Sequence, residues 1–345
     1  MKISIAIPVF NVEAFIADCL QSVMRQTYLG PMECILVDDC GTDGSVEIVK
    51  QLVSKYEGPI DFRIVHHKRN RGLAAARNTA LESATGEFIC HVDSDDWLED
   101  DAIEDLVRVQ QKTGADIVSG NAIAHYADRQ EELIEPEYAD KDAFLRQTIQ
   151  LSLDHVIWRR LIRTSLYRDN GITTVEGVNI GEDHYTLPRL VYYSKSFAKC
   201  DKVVYHYNCM NSSSYMHSLH LGFNLKRYSN DRDSIGILMD FFTKQDESDY
   251  VEELYAIKTK FVYGSIISAI KLDDRTAYSE LCKDWKNIGD SYKRAIGINC
   301  RRDKLLTQHY YVKRVSVLGR GMIKKLFGKR LWKCLSLLKA AKWTS

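Results

Sequence analysis

The chain lacks several features that would assign it quickly to a class. Its 345 residues carry 47 Lys and Arg against 47 Asp and Glu, so the formal net charge is zero. A protein whose main partner is nucleic acid carries a basic surplus to match the phosphates, and that partner class is excluded here as the principal one. No stretch approaches the roughly 18 uninterrupted apolar residues of a membrane span. No internal repeat or low-complexity tract is present. The nine Cys are scattered without a CxxC pair or a Cys/His zinc spacing. That predicts reduced thiols in a cytoplasmic protein, not a disulfide framework or a zinc site. The apolar run from Met1 to Pro8 is too short for a secretory signal and passes directly into a strand pattern.

What is present is a globular composition, 45% hydrophobic, long enough for one large domain and a smaller attachment. Ile3–Val9 is a short β-branched strand, and Glu13–Gln26 follows with Phe15, Ile16, Cys19, Leu20 and Val23 at helical spacing. Strands over Glu33–Val37, Phe62–His66, Glu87–Val92 and Asp116–Gly120 alternate with helices over Val46–Tyr56, Gly72–Ser83 and Asp101–Thr113. Alternation of this kind predicts an α/β fold, a doubly wound and mostly parallel sheet flanked by helices. Its βα loops emerge on one side, which brings Pro8–Asn11, Asp38–Asp39, Asn70–Gly72 and Asp93–Asp96 together at the ligand-binding edge. Residues 219–318 read as a mainly helical C-terminal region, with amphipathic stretches at Phe223–Phe242 and Tyr250–Ile270. We therefore expect a catalytic domain over 1–218, the helical region over 219–318 and a separate tail over 319–345.

The strand ending at Val92 delivers Asp93, Asp95 and Asp96 to one point. Three acids within four residues repel one another. A divalent cation, Mn²⁺ or Mg²⁺, shared with substrate phosphates would relieve that repulsion, and a solvated acidic turn capping the next helix is the plain alternative. Asp38 and Asp39 at another strand end can accept hydrogen bonds from a base N–H and a ribose hydroxyl, or can simply cap a helix. Pro8 and Phe10 offer apolar surface to a base. Arg77 can reach a phosphate as a charge-assisted fork or lie on a helix surface. Gly181-Glu182-Asp183-His184 is the best source of a general base, and acids at a charged helix start are its structural alternative.

These pieces, in order, resemble glycosyltransferase family 2, of the GT-A fold. The matching residues are Ile7–Asn11, Val37–Ser45, Asn70–Asn78, Asp93–Trp97 and Gly181–Asp183, spread over roughly 1–210. The resemblance implies inverting transfer of a hexose or N-acetylhexosamine from a nucleoside diphosphate sugar, with uridine the favoured base and guanosine and thymidine the alternatives. It implies Asp39 at the base, Asp93 beside the ribose and diphosphate, Asp95 on the metal, and Asp183 as catalytic base, with Asn70 and Ser94 in the donor-binding motifs. Two departures stand out. Cys40 replaces the glycine usual after the paired aspartates, which shifts that turn. Asn208 stands where an arginine is common, so His206 either takes over phosphate or metal contacts or is a buried structural histidine. Arg160 lies in a segment that resembles one near the acceptor or diphosphate, with a structural ion pair as the alternative.

From Arg320 to Lys342 there are eight Lys or Arg and no acids, interleaved with Ile323, Leu326, Phe327, Leu331, Trp332, Leu335 and Leu338. A basic amphipathic helix of this kind either lies on an anionic membrane surface or docks on the protein's own core. The first case predicts a peripheral protein at the inner face of the plasma membrane, acting on a glycan or lipid-linked oligosaccharide during cell-surface polysaccharide synthesis. A helical C-terminal half would also suit a homodimer. Two competing functions are a sugar nucleotidyltransferase, against which the absence of a Gly- and Lys-rich phosphate loop near the N-terminus counts, and a non-catalytic nucleotide-sugar-binding scaffold.

Overall fold

The computed structural model describes residues 1–150, 155–211, 225–298, 303, 306 and 307. The chain divides into two compact units, one of Met1–His220 with Ser229–Val251 and the other of Leu221–Tyr228 with Glu252–Ser345.

The first unit is built on a nine-stranded sheet. Its parallel half is made of β1 (Ile3–Val9), β2 (Met32–Asp38), β3 (Asp61–His66) and β4 (Phe88–His91), in the order β3-β2-β1-β4. All seven residues of β1 are buried, as are the first six of β2. That is why both read as continuous apolar runs and not as alternating strands. Helices α1 (Ile16–Met24), α2 (Ser45–Ser54) and α3 (Leu73–Ser83) make the crossovers. These elements fall where the sequence places them, within a few residues.

Beyond β4 the sheet is mixed. A two-residue strand β5 (Trp97–Leu98) precedes helix α4 (Ala102–Thr113) and strand β6 (Ile117–His125), which extends five residues past the Gly120 expected as its end. The edge strand β7 (Gln130–Leu133) pairs with β6, and helix α5 (Lys141–Thr148) follows. Strand β8 (Arg160–Arg163) then enters antiparallel between β4 and β6. Helices α6 (Thr164–Asp169) and α7 (Glu182–Tyr193) lead to β9 (Phe197–Asn208), which runs parallel to β6 and antiparallel to β5. The sequence does not announce β5, β7, β8 or β9. The arginines of β8 look incompatible with a central strand, but Arg160 is fully buried on Glu135, 2.6 Å away, and Arg163 pairs with Asp116 at 2.7 Å. Pairing of this kind makes buried charge tolerable.

The N-terminal core joins Ile3, Ile5, Ile7, Leu20, Leu36 and Phe88 to Ile103, Leu106, Trp158 and Tyr205. Helix α8 (Leu225–Lys244) contributes Ser234 and Asn230 to this unit. The second unit is helical. Most of α9 (Ser248–Leu272), α10 (Arg275–Lys286) and α11 (Asp290–Ala295) belong to it, and its core centres on Val262, Ile266, Ile270, Leu281 and Trp285. Asp274 caps α10 by accepting from Ala277 N at 2.9 Å. Among the described residues no helix is long and apolar enough to cross a membrane. The basic tail over 320–342 lies outside the described residues.

Candidate active site

The loops at the C-terminal edge of the parallel strands meet through Asp39. It is 2% exposed, and its carboxylate holds three partners. Oδ2 accepts from Gly72 N at 2.7 Å, and Oδ1 accepts from Arg71 N at 2.8 Å and lies 2.6 Å from His67 Nδ1. A strand-end acid therefore fixes the entrance to α3. Gly72 sits there at φ +88°, and a Cβ on it would strike the Asn179 side chain, which in turn accepts from Ala74 N at 3.1 Å. Only glycine fits that position. Asp38 is the more open of the pair; its Oδ2 lies 2.8 Å from His66 Nδ1. Cys40 is held at φ +58°, in the left-handed region, with its Sγ donating to His67 O. The backbone geometry that favours glycine is kept although glycine is absent. Pro8 is buried at the end of β1, Phe10 is 43% exposed beyond it, and Asn70 is exposed before Gly72.

Arg77 is not a surface residue. It is 3% exposed, reaching Asp93 through Nη2 at 2.8 Å and Glu182 through Nε at 3.1 Å. Burial pulls its pKa down, but the charges of Asp93, Asp183 and Glu182 outweigh that and hold it firmly protonated. Its Nη1 is buried with no hydrogen-bond partner. Asp183, next to Glu182 at the start of α7, receives a long bond from Ile157 N to Oδ2 at 3.3 Å, and its Oδ1 is buried without a partner. Burial and then the neighbouring Glu182 charge push its carboxyl well above the usual range. A buried carboxylate oxygen with no donor and a buried guanidinium nitrogen with no acceptor are both costly. Each is explained if a substrate group completes it.

Asp93, Asp95 and Asp96 form the turn after β4. Burial and then the charge of Asp93 raise the Asp95 carboxyl, and Asn211 Nδ2 donates to its Oδ2 at 2.7 Å. Two carboxylates at i and i+2 could hold a hard cation that also takes phosphate oxygens. Among the described residues no three His, Cys, Asp or Glu side chains gather as a complete protein-only metal site.

Residues 4–170 match the model of glycosyl transferase family 2. The chain carries a family 2 glycosyl transferase domain. Over 121 residues it is 41% identical to the glycosyltransferase GlyA of Streptococcus pneumoniae, covering 35% of this chain and 16% of that protein. Over 221 residues it is 29% identical to the putative glycosyltransferase EpsH of Bacillus subtilis, covering 61% of this chain and 62% of that one. The chain thus matches less than two thirds of the length of these relatives. Among solved structures, that of Staphylococcus aureus TarS 1–349 in complex with UDP-GlcNAc superposes with a TM-score of 0.66 at 20% identity, covering 92% of this chain and 89% of that one. The shared architecture is GT-A-like, with the parallel half described above at its N-terminal end.

Two of the candidate residues, Arg160 and His206, are held in other ways. Arg160 is 0% exposed; it donates to Glu135, to Ser119 and to Val156 O, so its charge is answered inside the fold. His206 lies 2.8 Å from His125 Nε2 through Nδ1 and 2.8 Å from Glu99 Oε1 through Nε2, and it stacks on Trp97. Both ring nitrogens are occupied, and no described cluster unites it with Asp93 and Asp95. Ser94 is 7% exposed within the aspartate turn. Glu182, Tyr205 and Asn211 are the contributors that motif reading passed over as site residues. Glu182 could have been found from its place beside Asp183. Tyr205 and Asn211 gave no signal, since only the turn of β9 towards Asp93–Asp96 makes them relevant.

Proposed function

We propose that the protein is an inverting glycosyltransferase that moves a hexose or N-acetylhexosamine from a nucleoside diphosphate sugar to a hydroxyl of a glycan acceptor. The observation that carries this is the unpartnered, buried Asp183 Oδ1 in the same cluster as Arg77, Glu182 and Asp93. Uridine is the base favoured by the likeness to a structure that holds UDP-GlcNAc. The acceptor, in this reading, is a lipid-linked glycan of cell-surface polysaccharide synthesis, reached at the membrane surface through the basic tail.

Asp183 accepts the proton of the acceptor hydroxyl as that oxygen forms its bond to the anomeric carbon. The bond from the anomeric carbon to the diphosphate oxygen breaks on the opposite face, its electron pair leaving on the diphosphate. The configuration inverts, and the proton on Asp183 is later lost to water. Arg77 Nη1 supplies a preorganised donor for the negative charge that grows on the leaving group. Glu182 and Asp93 keep the guanidinium aimed. Asp93 and Asp95 would hold Mn²⁺ or Mg²⁺, which when bound spreads the charge of the diphosphate.

The test is a donor screen: purified protein, Mn²⁺ or Mg²⁺, a panel of nucleotide sugars, and detection of released nucleoside diphosphate. Release from one donor that Asp95→Ala abolishes supports the proposal. Silence across the panel together with no nucleotide binding by calorimetry rejects it. Full membrane partition and turnover after truncation at Gly319 would remove the membrane part alone.

A further inference from the structure

The C-terminal end of β9 reaches all three aspartates of the turn after β4. Asp96 is 1% exposed, and both of its oxygens are taken from that side. Tyr205 OH donates to Oδ2 at 2.7 Å and Asn208 N to Oδ1 at 2.7 Å. The same Tyr205 oxygen accepts from Asp93 N at 3.0 Å. Asn208 Nδ2 donates to Asp95 O at 3.1 Å, and Asn211 Nδ2 to Asp95 Oδ2 at 2.7 Å. Tyr205 is itself immobilised, fully buried and stacked on Trp158 at 4.5 Å between ring centroids. Asp96 is thus an internal anchor and not a third ligand, and one phenol oxygen bridges the backbone of Asp93 to the side chain of Asp96.

We infer that Tyr205, with Asp96 as its acceptor and Asn211 as its companion, is a positioning unit that sets the directions of the Asp93 and Asp95 carboxylates for cation-dependent nucleotide binding. The inference rests on the donor-binding part of the proposed function. Without the phenol, Asp93 N and Asp96 Oδ2 both lose a partner, and the two outer carboxylates are no longer held in one arrangement before the ligand arrives. Preorganisation lost in this way shows as weaker binding of whatever both carboxylates share.

The test measures, by calorimetry, the affinity for whichever of UDP, GDP and dTDP the wild-type chain binds best, once with Mn²⁺ and once with EDTA. Tyr205→Phe is expected to lower the affinity in Mn²⁺ about tenfold, a cost near 1.4 kcal/mol, and to leave the affinity in EDTA unchanged. Asp96→Asn should do the same. The double variant should be no worse than the poorer single, because both singles break the same Tyr205–Asp96 hydrogen bond. Should Tyr205→Phe fail to fold, Asn211→Ala, which removes a donor to Asp95, is expected to shrink the Mn²⁺ effect alone. Variants that melt earlier yet keep the wild-type ratio of affinities, or single losses that add in the double variant, overturn the inference. If the wild-type chain binds no nucleotide in either condition, the donor-binding proposal fails and takes this inference with it. If it binds and the variants match it, only the inference falls.

Discussion

Arg77 Nε lies 3.1 Å from Glu182 Oε1 although 105 residues separate them in the chain. The same guanidinium holds Asp93, so the arginine of α3 joins the aspartate turn to the start of α7. Arg77→Ala would leave Glu182 buried and unpaired and Asp93 without its partner. Removing one member of a buried charge network costs about 3–5 kcal/mol. We expect that loss in urea-induced unfolding, together with loss of transfer in the folded fraction. Arg77→Lys should recover part of the stability but not turnover, because an ammonium cannot offer two parallel N–H groups and a third.

Asp183→Asn should separate binding from chemistry. The amide keeps the size of the side chain but cannot accept a proton. Donor binding by calorimetry should be retained and kcat should fall about 10²- to 10⁴-fold. Because burial and Glu182 hold the Asp183 carboxyl above the usual range, the acid limb of the kcat profile should lie above the pH expected of an ordinary aspartate. A profile flat down to pH 4 would remove Asp183 from the role.

Arg160→Leu tests whether this arginine serves the fold or the ligand. It is paired with Glu135 at 2.6 Å and is fully buried. Stability should fall by about 3–5 kcal/mol, while the KM for the donor in the folded protein stays at the wild-type value. A raised KM with unchanged stability would place Arg160 at the diphosphate instead.

His184 predicts how stability varies with pH. Its Nδ1 lies 2.5 Å from Ser234 Oγ and its Nε2 lies 2.9 Å from Ile149 O. A carbonyl can only accept, so Nε2 carries the hydrogen and Nδ1 accepts from the serine. Burial pushes the folded pKa down from 6.5 to about 4. The unfolded chain then binds the proton more readily, so this contribution is complete above pH 6.5 and is lost as pH falls towards 4. Between pH 7.5 and pH 5 the expected loss is about 2 kcal/mol, measurable by urea unfolding at the two values. His184→Gln should flatten that part of the dependence.

The parallel half of the sheet and the loops that carry its motifs are legible in the order of residues alone. β1 to β4 and the helices between them are local objects: apolar runs, helical spacing and turn residues within ten or so positions specify each one. The convergence of Asp39, Gly72, Arg77 and Asp93 follows from that topology, because parallel strands joined by helices release their loops on one edge. Which polar groups meet is settled by the folded arrangement. Strand β8 is hidden in the sequence because its arginines are answered by Glu135 and Asp116, 25 and 47 residues away. The Tyr205–Asp96 bond spans 109 residues, and the occupied state of His206 depends on Glu99 and His125, 107 and 81 residues away. Hydrophobic periodicity records which face of an element is buried. It does not record the partner of a buried charge or hydroxyl, which exists only once strands from distant parts of the chain lie side by side.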